Sequence, residues 1–440
     1  MSVAEAIGDP RVTIAREPMH RRQVVAVAIA TALNALDGFD VLAISFASPG
    51  ITAEWNVHRA ALGVILSMEL VGMAIGALTL GSLADRLGRR PTILVCLVVM
   101  TIGMGLAAAS TNLLMLSAVR LFTGLGIGGM LAATNAIVAE CANARRRNLS
   151  VAIMAGGYPI GAIVGGTIAS TLLANTGEWR SIFVFGSLVT ASLIPLVLWR
   201  IPETIAFLCA RQPEHALRRI NRTMVLQGRS PVRSLPPLAP IGRVGIREAF
   251  GPGMASTTTL LVAAYFFHIM TFYFLMKWIP KVVTDMGFAP AVAGGVLVWA
   301  NVGGAAGAVT LSLLTQRFDV RLLVIGSMVG GAIAVAAFGQ GIVTLGPLSV
   351  AAAIAGFFTN GATAGLYAVF AQSFPARLRA GGTGLVIGIG RGGAALGPIV
   401  AGILFSAGWP LDVVAPVMAS GCLLGAVCLY RIRRAGSAMA

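Results

Sequence analysis

Two carboxylates interrupt the first long apolar run of the chain, which extends from Val24 to Pro49. About 20 apolar residues suffice to cross a bilayer as a helix, so this run is long enough to do so. Asp37 and Asp40 are three residues apart and therefore share one face of that helix. A charge near the bilayer centre costs at least about 2.5–3.5 kcal/mol, which favours a function for both. We predict that they accept protons in a water-filled cavity; the alternative is a structural ion pair with an arginine on a neighbouring helix.

Two arginines in later apolar runs are the cationic candidates. Arg120 lies about 12 Å inside the fourth run, counted from Asn112, and is the expected counter-ion of Asp37 or Asp40. Arg391 lies between glycines in the eleventh run, which contains no acidic residue. Its planar guanidinium matches a carboxylate, so we predict that its partner is the ligand, with Arg120 as a second contact. For both arginines the alternative is a permanent ion pair.

Other polar and aromatic residues are candidates for the wall of a cavity. Phe272 and Tyr273 lie deep in the seventh run and are predicted to stack on a ring. Asn301 and Tyr367, in the eighth and tenth runs, are predicted to hydrogen-bond a substrate, although bridging between helices is an equal alternative. Together with Arg391 and Arg120 they form the predicted substrate site.

Four further residues in the runs have structural as well as functional interpretations. His268 is expected to be a hydrogen-bonded interior residue rather than a proton carrier. Lys277 is expected to extend to the outer surface, and Trp278 to belong to the aromatic belt at the interface. Glu69 in the second run is either a second proton site or a hydrogen-bonded interior residue, and the sequence does not name its partner.

Composition identifies a polytopic membrane protein. The 440 residues are 57% hydrophobic and only 11% charged, against about 25% charged in soluble domains. The net charge of +16 arises from arginines in every second loop, whereas the intervening loops hold only Arg59, Arg180 and Lys281. This positive-inside pattern predicts that both termini are cytoplasmic and argues against nucleic-acid binding. No secretory signal precedes the first run, because residues 1–23 are polar and the run is too long for a signal peptide.

Enzyme, ATPase and cofactor signatures are missing from the sequence. Five cysteines show no metal spacing, and no phosphate-binding P-loop motif is present. The glycines Gly124, Gly126 and Gly129 satisfy a dinucleotide-binding pattern, but they lie in a membrane-spanning run without a preceding strand. They predict close helix packing instead. We therefore expect no metal, no cofactor and no enzymatic activity.

The runs predict an all-α integral membrane protein with twelve transmembrane helices in two six-helix bundles. The predicted regions are an N-terminal cytoplasmic tail, a first bundle, a cytoplasmic linker, a second bundle and a C-terminal tail, at residues 1–23, 24–200, 201–255, 256–430 and 431–440. Such a six-plus-six arrangement is typical of secondary transporters whose halves move about a site at mid-membrane. The predicted spans are 24–49, 60–83, 91–109, 112–138, 149–174, 181–200, 256–280, 290–314, 321–339, 345–373, 381–407 and 410–430. Residues 213–227 are expected to form a short surface helix.

The loop after the second run carries a specific motif. Residues 81–90 read GSLADRLGRR, which resembles the cytoplasmic loop signature of the major facilitator superfamily. The stretch from Glu140 to Arg147 resembles a second superfamily motif. The resemblance implies the two-bundle fold and a gating role, through contacts at helix ends that break when the halves move. The residues to which it assigns gating are Asp85, Arg86, Arg89, Arg90, Glu140 and Arg147.

The first run narrows the resemblance further. Residues 37–40 read DGFD and are similar to a signature of the aromatic acid:proton symporters, as are the arginine between glycines in the eleventh run and the WIP end of the seventh. Members of that family are bacterial inner-membrane importers of benzoate, hydroxybenzoates, protocatechuate and gentisate. The resemblance implies that Asp37, Asp40, Arg120, Asp85 and Glu140 are needed for proton-coupled uptake. It implies a monomer in the lipid bilayer whose partners are protons and a small aromatic acid anion. The alternatives are symport of another organic anion, such as a sugar acid or dicarboxylate, and a non-transporting sensor.

Overall fold

The computed structural model describes residues 9–238, 248, 250–251, 254–341, 344–375 and 378–432. The remaining parts of the predicted tails and linker lie outside the described residues. Sixteen helices are present in the described part of the chain. They are α1 Pro10–Arg16, α2 Arg21–Trp55, α3 Arg59–Leu87, α4 Arg89–Ala108, α5 Leu113–Cys141, α6 Arg147–Thr176, α7 Arg180–Arg200, α8 Ile205–Arg211, α9 Ala216–Leu226, α10 Ala255–Asp285, α11 Pro290–Leu314, α12 Val320–Phe338, α13 Leu345–Ser373, α14 Arg379–Gly390, α15 Gly392–Ser406 and α16 Leu411–Arg431.

Twelve segments are long and apolar enough to cross a membrane, which confirms the predicted number of spans. The first span is longer than predicted, because α2 continues through Pro49 to Trp55. Proline has no N–H to give to the carbonyl of Ser45, which lies four residues earlier. The Ser48 hydroxyl takes that place and donates to the Ser45 carbonyl at 2.8 Å. The carbonyl is thereby satisfied inside the bundle, and the helix is not interrupted.

The eleventh span is one membrane-crossing helix over Gly381–Ser406, as predicted, with a local irregularity at Arg391 between α14 and α15. The Ala394 amide donates to the Arg391 carbonyl three residues earlier at 3.0 Å, which tightens the turn at this point. Gly390 and Gly392 flank the junction and lower the cost of departing from regular helix geometry. Arg391 therefore lies at a locally tightened turn of a continuous span.

Glycines allow the helices of each bundle to approach one another closely. In the first bundle, a Cβ on Gly72 or Gly76 of α3 would overlap carbonyl oxygens of α5, and one on Gly124 of α5 would overlap the Glu69 carbonyl of α3. In the second bundle, Gly303 and Gly356 make the equivalent contacts between α11 and α13. The predicted packing role of the glycines in the fourth run is confirmed, because backbones can meet this closely only without a side chain between them.

The two bundles meet at one end of the molecule. We call the end with α8 and α9 the linker end, and the opposite end the distal end. At the distal end Arg59 contacts Asp285 at 3.1 Å, and the Ala60 amide donates to the Ser406 hydroxyl at 2.7 Å. The hydrogen bonds that Arg59, Ala60 and Lys277 make between the bundles lie at the distal end or at mid-depth. Tyr367, in the half of α13 nearer the linker end, is 40% exposed.

Candidate substrate and proton site

Asp37 and Asp40 are enclosed in the first bundle. Both are buried, and none of their four carboxylate oxygens has a hydrogen-bond partner in the described structure. A Cβ on Gly186 of α7 would lie 3.5 Å from Asp40 Oδ1, so this carboxylate faces helices of its own bundle and not lipid. The expectation of a water-filled cavity around the pair is not met in this conformation. A buried carboxylate without partners is costly unless it carries a proton, which is the property of a proton-binding group.

Arg120 is buried in α5 but does not pair with either aspartate side chain, so the predicted pairing is wrong. Its Nη2 forms an ion pair with Glu69 Oε1 and donates to the backbone carbonyl of Asp40 at 2.9 Å. The guanidinium also lies over the Phe183 ring, 5.4 Å from its centroid. The carboxylate of Glu69 from α3 reaches the guanidinium of Arg120, whereas neither carboxylate of α2 forms a hydrogen bond with it. Arg120 therefore holds Glu69 and α2 together.

Lys277 supplies the second partner of Glu69, and the prediction that it extends to the outer surface is wrong. The side chain is fully buried, its Nζ lies 3.3 Å from Glu69 Oε2, and it donates to the carbonyl of Val41. Since Lys277 belongs to α10, this ion pair crosses from the second bundle to the first. The belt prediction for Trp278 is also wrong, because its ring is buried and its indole N–H donates to the Pro398 carbonyl at 3.2 Å.

Arg391 is surrounded by tyrosines. Tyr265, Tyr273 and Tyr367 are its titratable neighbours, and no carboxylate pairs with it in the part of the chain that the structure describes. The hydroxyls of Tyr265 and Tyr367 lie 3.3 Å apart. Tyr158 of α6 contacts Tyr273 from the first bundle. The chain has five tyrosines, so three of them are neighbours of this one cation, and a fourth, Tyr158, reaches it only through Tyr273.

The remaining polar and aromatic residues predicted in the spans either pack against Tyr273 or form hydrogen bonds inside the bundle. Phe272 is 9% exposed and packs edge-on against Tyr273, with ring centroids 5.2 Å apart. The Asn301 amide donates to the Leu297 carbonyl of its own helix at 2.9 Å. His268 is an interior residue, as predicted: its Nε2 lies 3.0 Å from the Thr359 carbonyl and 3.1 Å from the Thr363 hydroxyl.

The predicted gating residues form a network at the linker end, within the first bundle and the linker. Arg89 contacts Glu140 at 2.8 Å and Asp85 at 3.2 Å, and Glu140 also accepts the Thr204 hydroxyl. Arg90 donates to the Leu198 carbonyl at 2.6 Å. The last two predicted members, Arg86 and Arg147, are exposed, and no hydrogen bond or ion pair is recorded for either side chain in the described structure.

Glu203 is a member of this network that the sequence reading missed. It is buried and accepts the backbone amides of Arg89 and Arg90 at 3.0 and 3.3 Å, at the N-terminus of α4. A carboxylate at this position satisfies free N–H groups and complements the helix dipole. Gly88, immediately before the helix, has φ +112°, and a Cβ there would overlap Glu203 Oε2. In the sequence, Glu203 stands out as the acidic residue of Pro202-Glu203-Thr204, but the sequence does not indicate which residues it contacts.

Sequence reasoning also missed the ion pair of Glu69 with Lys277, the position of Tyr265 near Arg391 and the contact of Tyr158 with Tyr273. In the sequence, each of these residues could have been identified by its charged or phenolic group within an apolar run. The partners come from different runs, and periodicity within one run does not pair them. No group of three or more metal-binding side chains is found among the described residues.

Comparison with known proteins gives consistent results. A family model described as Major Facilitator Superfamily matches residues 28–300 and 261–438. The chain is 31% identical to the gallate transporter of Pseudomonas putida over 413 residues, which cover 91% of this chain and 90% of the relative. It is 29% identical to the 4-hydroxybenzoate transporter PcaK of Pseudomonas aeruginosa, over 92% of this chain and 91% of the relative.

Among solved structures, a D-xylose-proton symporter matches with a TM-score of 0.72 and 17% identity, over 93% of this chain and 98% of that structure. The inward open xylose transporter XylE from E. coli matches with a TM-score of 0.68 and 18% identity, over 93% of this chain and 97% of that structure. At these identities the two structures bear on the fold only. They confirm the predicted all-α architecture of twelve spans in two bundles.

Proposed function

Because the chain belongs to the major facilitator superfamily, we propose that it imports a small aromatic carboxylate together with protons by alternating access. The substrate class is the one named for its relatives, which include transporters of gallate, 4-hydroxybenzoate and gentisate. The membrane is the bacterial inner membrane, and the arginine-rich linker end is its cytoplasmic side. All elements of the site come from one chain, so we expect a functional monomer.

The observation that carries the substrate assignment is the environment of Arg391. The guanidinium lies within the eleventh span, where the residue is only partly buried. Tyr265, Tyr273 and Tyr367 are its titratable neighbours, and no carboxylate pairs with it in the described structure. A cation inside a membrane span needs an anionic partner, and a carboxylate offers two oxygens in the geometry of the guanidinium fork. Phe272, Tyr273 and Tyr367 supply the aromatic and hydroxyl surface for the ring. In this proposal Asn301 is a further contact for the substrate.

The proton sites in this proposal are Asp37 and Asp40. Both are buried without hydrogen-bond partners, so a proton bound to one of them fits this environment. A proton bound to one of them removes the cost of carrying an uncompensated charge through the occluded state. Arg120 acts on the pair through the Asp40 carbonyl and through its electrostatic influence on the Asp40 carboxyl. The proton and the anion therefore have separate sites in one chain.

The linker-end network is proposed to regulate which side is open. Asp85, Arg89 and Glu140 join the ends of α3, α4 and α5, and Arg90 ties α4 to α7. Arg86 and Arg147 are exposed at the same end, where they are available to the second bundle when the cavity closes. In the conformation described here the distal end is closed, which corresponds to an inward-facing state ready to release substrate.

The test is uptake by the purified chain in liposomes with an acidic exterior. Radiolabelled 4-hydroxybenzoate, a sugar acid and a dicarboxylate are offered in parallel. We expect accumulation of 4-hydroxybenzoate that a protonophore abolishes. Accumulation of the sugar acid or the dicarboxylate instead would show that the substrate is not an aromatic carboxylate. Absence of flux for all three compounds would contradict transport of organic anions.

A further inference from the structure

The ion pair between Glu69 and Lys277 is the charged contact that joins the two bundles inside the membrane. Glu69 belongs to α3 and Lys277 to α10, and both side chains are fully buried. The distance from Lys277 Nζ to Glu69 Oε2 is 3.3 Å, and Lys277 also donates to the Val41 carbonyl. Val41 directly follows Asp40, so the ammonium of the second bundle reaches the proton-binding segment of α2.

The charges around this contact do not balance when all groups are ionised. In the described structure the cluster holds three carboxyl groups, Asp37, Asp40 and Glu69, and two cations, Arg120 and Lys277. One bound proton makes it neutral. Without Lys277, the same first-bundle groups would need two protons for neutrality. Since uncompensated charge in a dry interior is costly, the position of Lys277 changes how many protons the acids hold.

Lys277 must move relative to Glu69 during alternating access. The lysine is carried by the second bundle, whereas the three acids and Arg120 are carried by the first. The pair is formed here, where the distal end is closed. Opening the distal end separates the helices that hold the two groups, and the ammonium is withdrawn from the acids.

We propose that Lys277 is a mobile counter-charge that couples bundle movement to proton binding, with Glu69 as its docking partner. When the distal end is open, Lys277 is withdrawn and the first-bundle acids take up a proton from outside. When the distal end closes, the ammonium returns to Glu69 and favours ionised carboxylates, because a nearby positive charge stabilises the anion. One of the two protons then leaves a first-bundle carboxyl O–H for solvent on the linker side, the oxygen keeps the electron pair, and the other proton stays bound in the cluster.

Other groups near the cluster are not cations that move between bundles. The titratable neighbours are Cys96 of α4, Tyr158 of α6 and Tyr273 of α10. None of the three is positively charged in any protonation state. Arg120 is charged throughout and stays with the first bundle. Lys277 is therefore the cation in the described structure whose distance from the acids changes with the orientation of the bundles.

This proposal rests on the proposed function, and the test separates the two. Wild-type chain and the variants Lys277→Met and Lys277→Arg are reconstituted in liposomes. Accumulation of 4-hydroxybenzoate under a pH gradient and exchange of the same compound without a gradient are measured. We expect Lys277→Met to lower the accumulation ratio at least tenfold while exchange stays within about threefold of wild type. Lys277→Arg keeps the charge and should restore most of the accumulation.

Lys281→Met is the matched control. Lys281 lies one turn further along the same helix and pairs with Asp285, which keeps Arg59 as its partner across the bundles when Lys281 is removed, so accumulation should stay unchanged. If Lys277→Met does not fold, as judged by size-exclusion chromatography, Glu69→Gln tests the pair from the first bundle with the same expected uncoupling. Normal accumulation by Lys277→Met, or equal loss in the Lys281→Met control, overturns the proposal. Absence of 4-hydroxybenzoate transport by the wild type contradicts the proposed function instead.

Discussion

The two bundles carry opposite kinds of membrane-buried chemistry. The first bundle holds the buried carboxyl groups Asp37, Asp40 and Glu69 in its interior. The carboxylates of the second bundle lie at helix ends: Asp285 ends α10, Asp319 precedes α12 and Asp412 lies in the first turn of α16. The second bundle contributes instead the cations Lys277 and Arg391 with their tyrosines. Two halves of the same fold thus differ in charge, with buried acids in the first and buried or half-buried cations in the second, and the proposed function assigns proton binding to the first and anion binding to the second.

This separation has a physical advantage. A carboxylate beside Arg391 would satisfy the guanidinium permanently and compete with a substrate carboxylate for the same fork. A buried acid placed in the other bundle avoids that competition and still senses the second bundle through Lys277. The placement of charged residues within the spans, more than helix packing, distinguishes the two halves.

The largest expected effect comes from removing a proton site in the first bundle. Under a pH gradient, Asp37→Asn should lower the ratio of internal to external substrate concentration to about one, because asparagine neither binds nor releases a proton. Exchange of substrate without a gradient should persist. At a difference of two pH units, one proton supports about 100-fold accumulation, so the loss is about 100-fold. Uptake into liposomes measures it, and Asp412→Asn, in the second bundle at a helix end, is the control. An Asp37→Asn variant that still accumulates substrate would break the assignment of proton binding to this bundle.

The next effect should appear in the second bundle as lost affinity. Arg391→Lys replaces a planar fork by a single ammonium and should weaken binding of 4-hydroxybenzoate about 10- to 100-fold, since a charged hydrogen bond contributes about 1.5–3 kcal/mol. Calorimetric titration of the detergent-solubilised chain provides the dissociation constant. Arg379→Lys, an exposed position of α14, should bind as the wild type does. Equal affinity in the Arg391 and Arg379 variants would move the anion site elsewhere.

A smaller effect should distinguish the linker ends of the two bundles. Arg89 is 13% exposed in its side chain, pairs with Glu140 and donates to the Ala84 carbonyl at 3.0 Å. Arg321, in the corresponding loop of the second bundle, makes one surface hydrogen bond to the Tyr430 carbonyl. Arg89→Ala should therefore lower stability by about 1–3 kcal/mol and Arg321→Ala by less than about 0.5 kcal/mol. Thermal unfolding followed by tryptophan fluorescence compares them, and similar shifts would contradict the asymmetry.

The smallest effect is expected from single hydroxyl groups around Arg391. Tyr367→Phe removes one partner of the Tyr265 hydroxyl and should weaken binding of 4-hydroxybenzoate by about 2- to 10-fold, the usual contribution of one neutral hydrogen bond. Benzoate, which has no ring hydroxyl, should be affected less. Tyr430→Phe, at a residue that is 75% exposed, is the control. An equal loss for both ligands would indicate that Tyr367 orients Arg391 rather than the ring.

Much of this architecture follows from local sequence. An apolar run of sufficient length must form a helix in lipid, because its backbone groups have no other partners there, and the twelve spans followed from that constraint. The basic loops gave the predicted orientation, and the glycines of the fourth run indicated close packing that α3 and α5 display. Asp37, Asp40 and Arg391 were recognised because ionisable groups are costly at these depths.

Tertiary structure decided which of these groups meet. Arg120 pairs with Glu69 and not with the expected aspartates, Lys277 points inward to the same carboxylate, and three tyrosines from two helices lie near Arg391. Periodicity assigns a residue to a face of its own helix, but the neighbour of that face depends on how twelve helices pack. Ionic partners act over a few ångströms, so rotating or shifting one helix exchanges them without altering any local pattern in the chain.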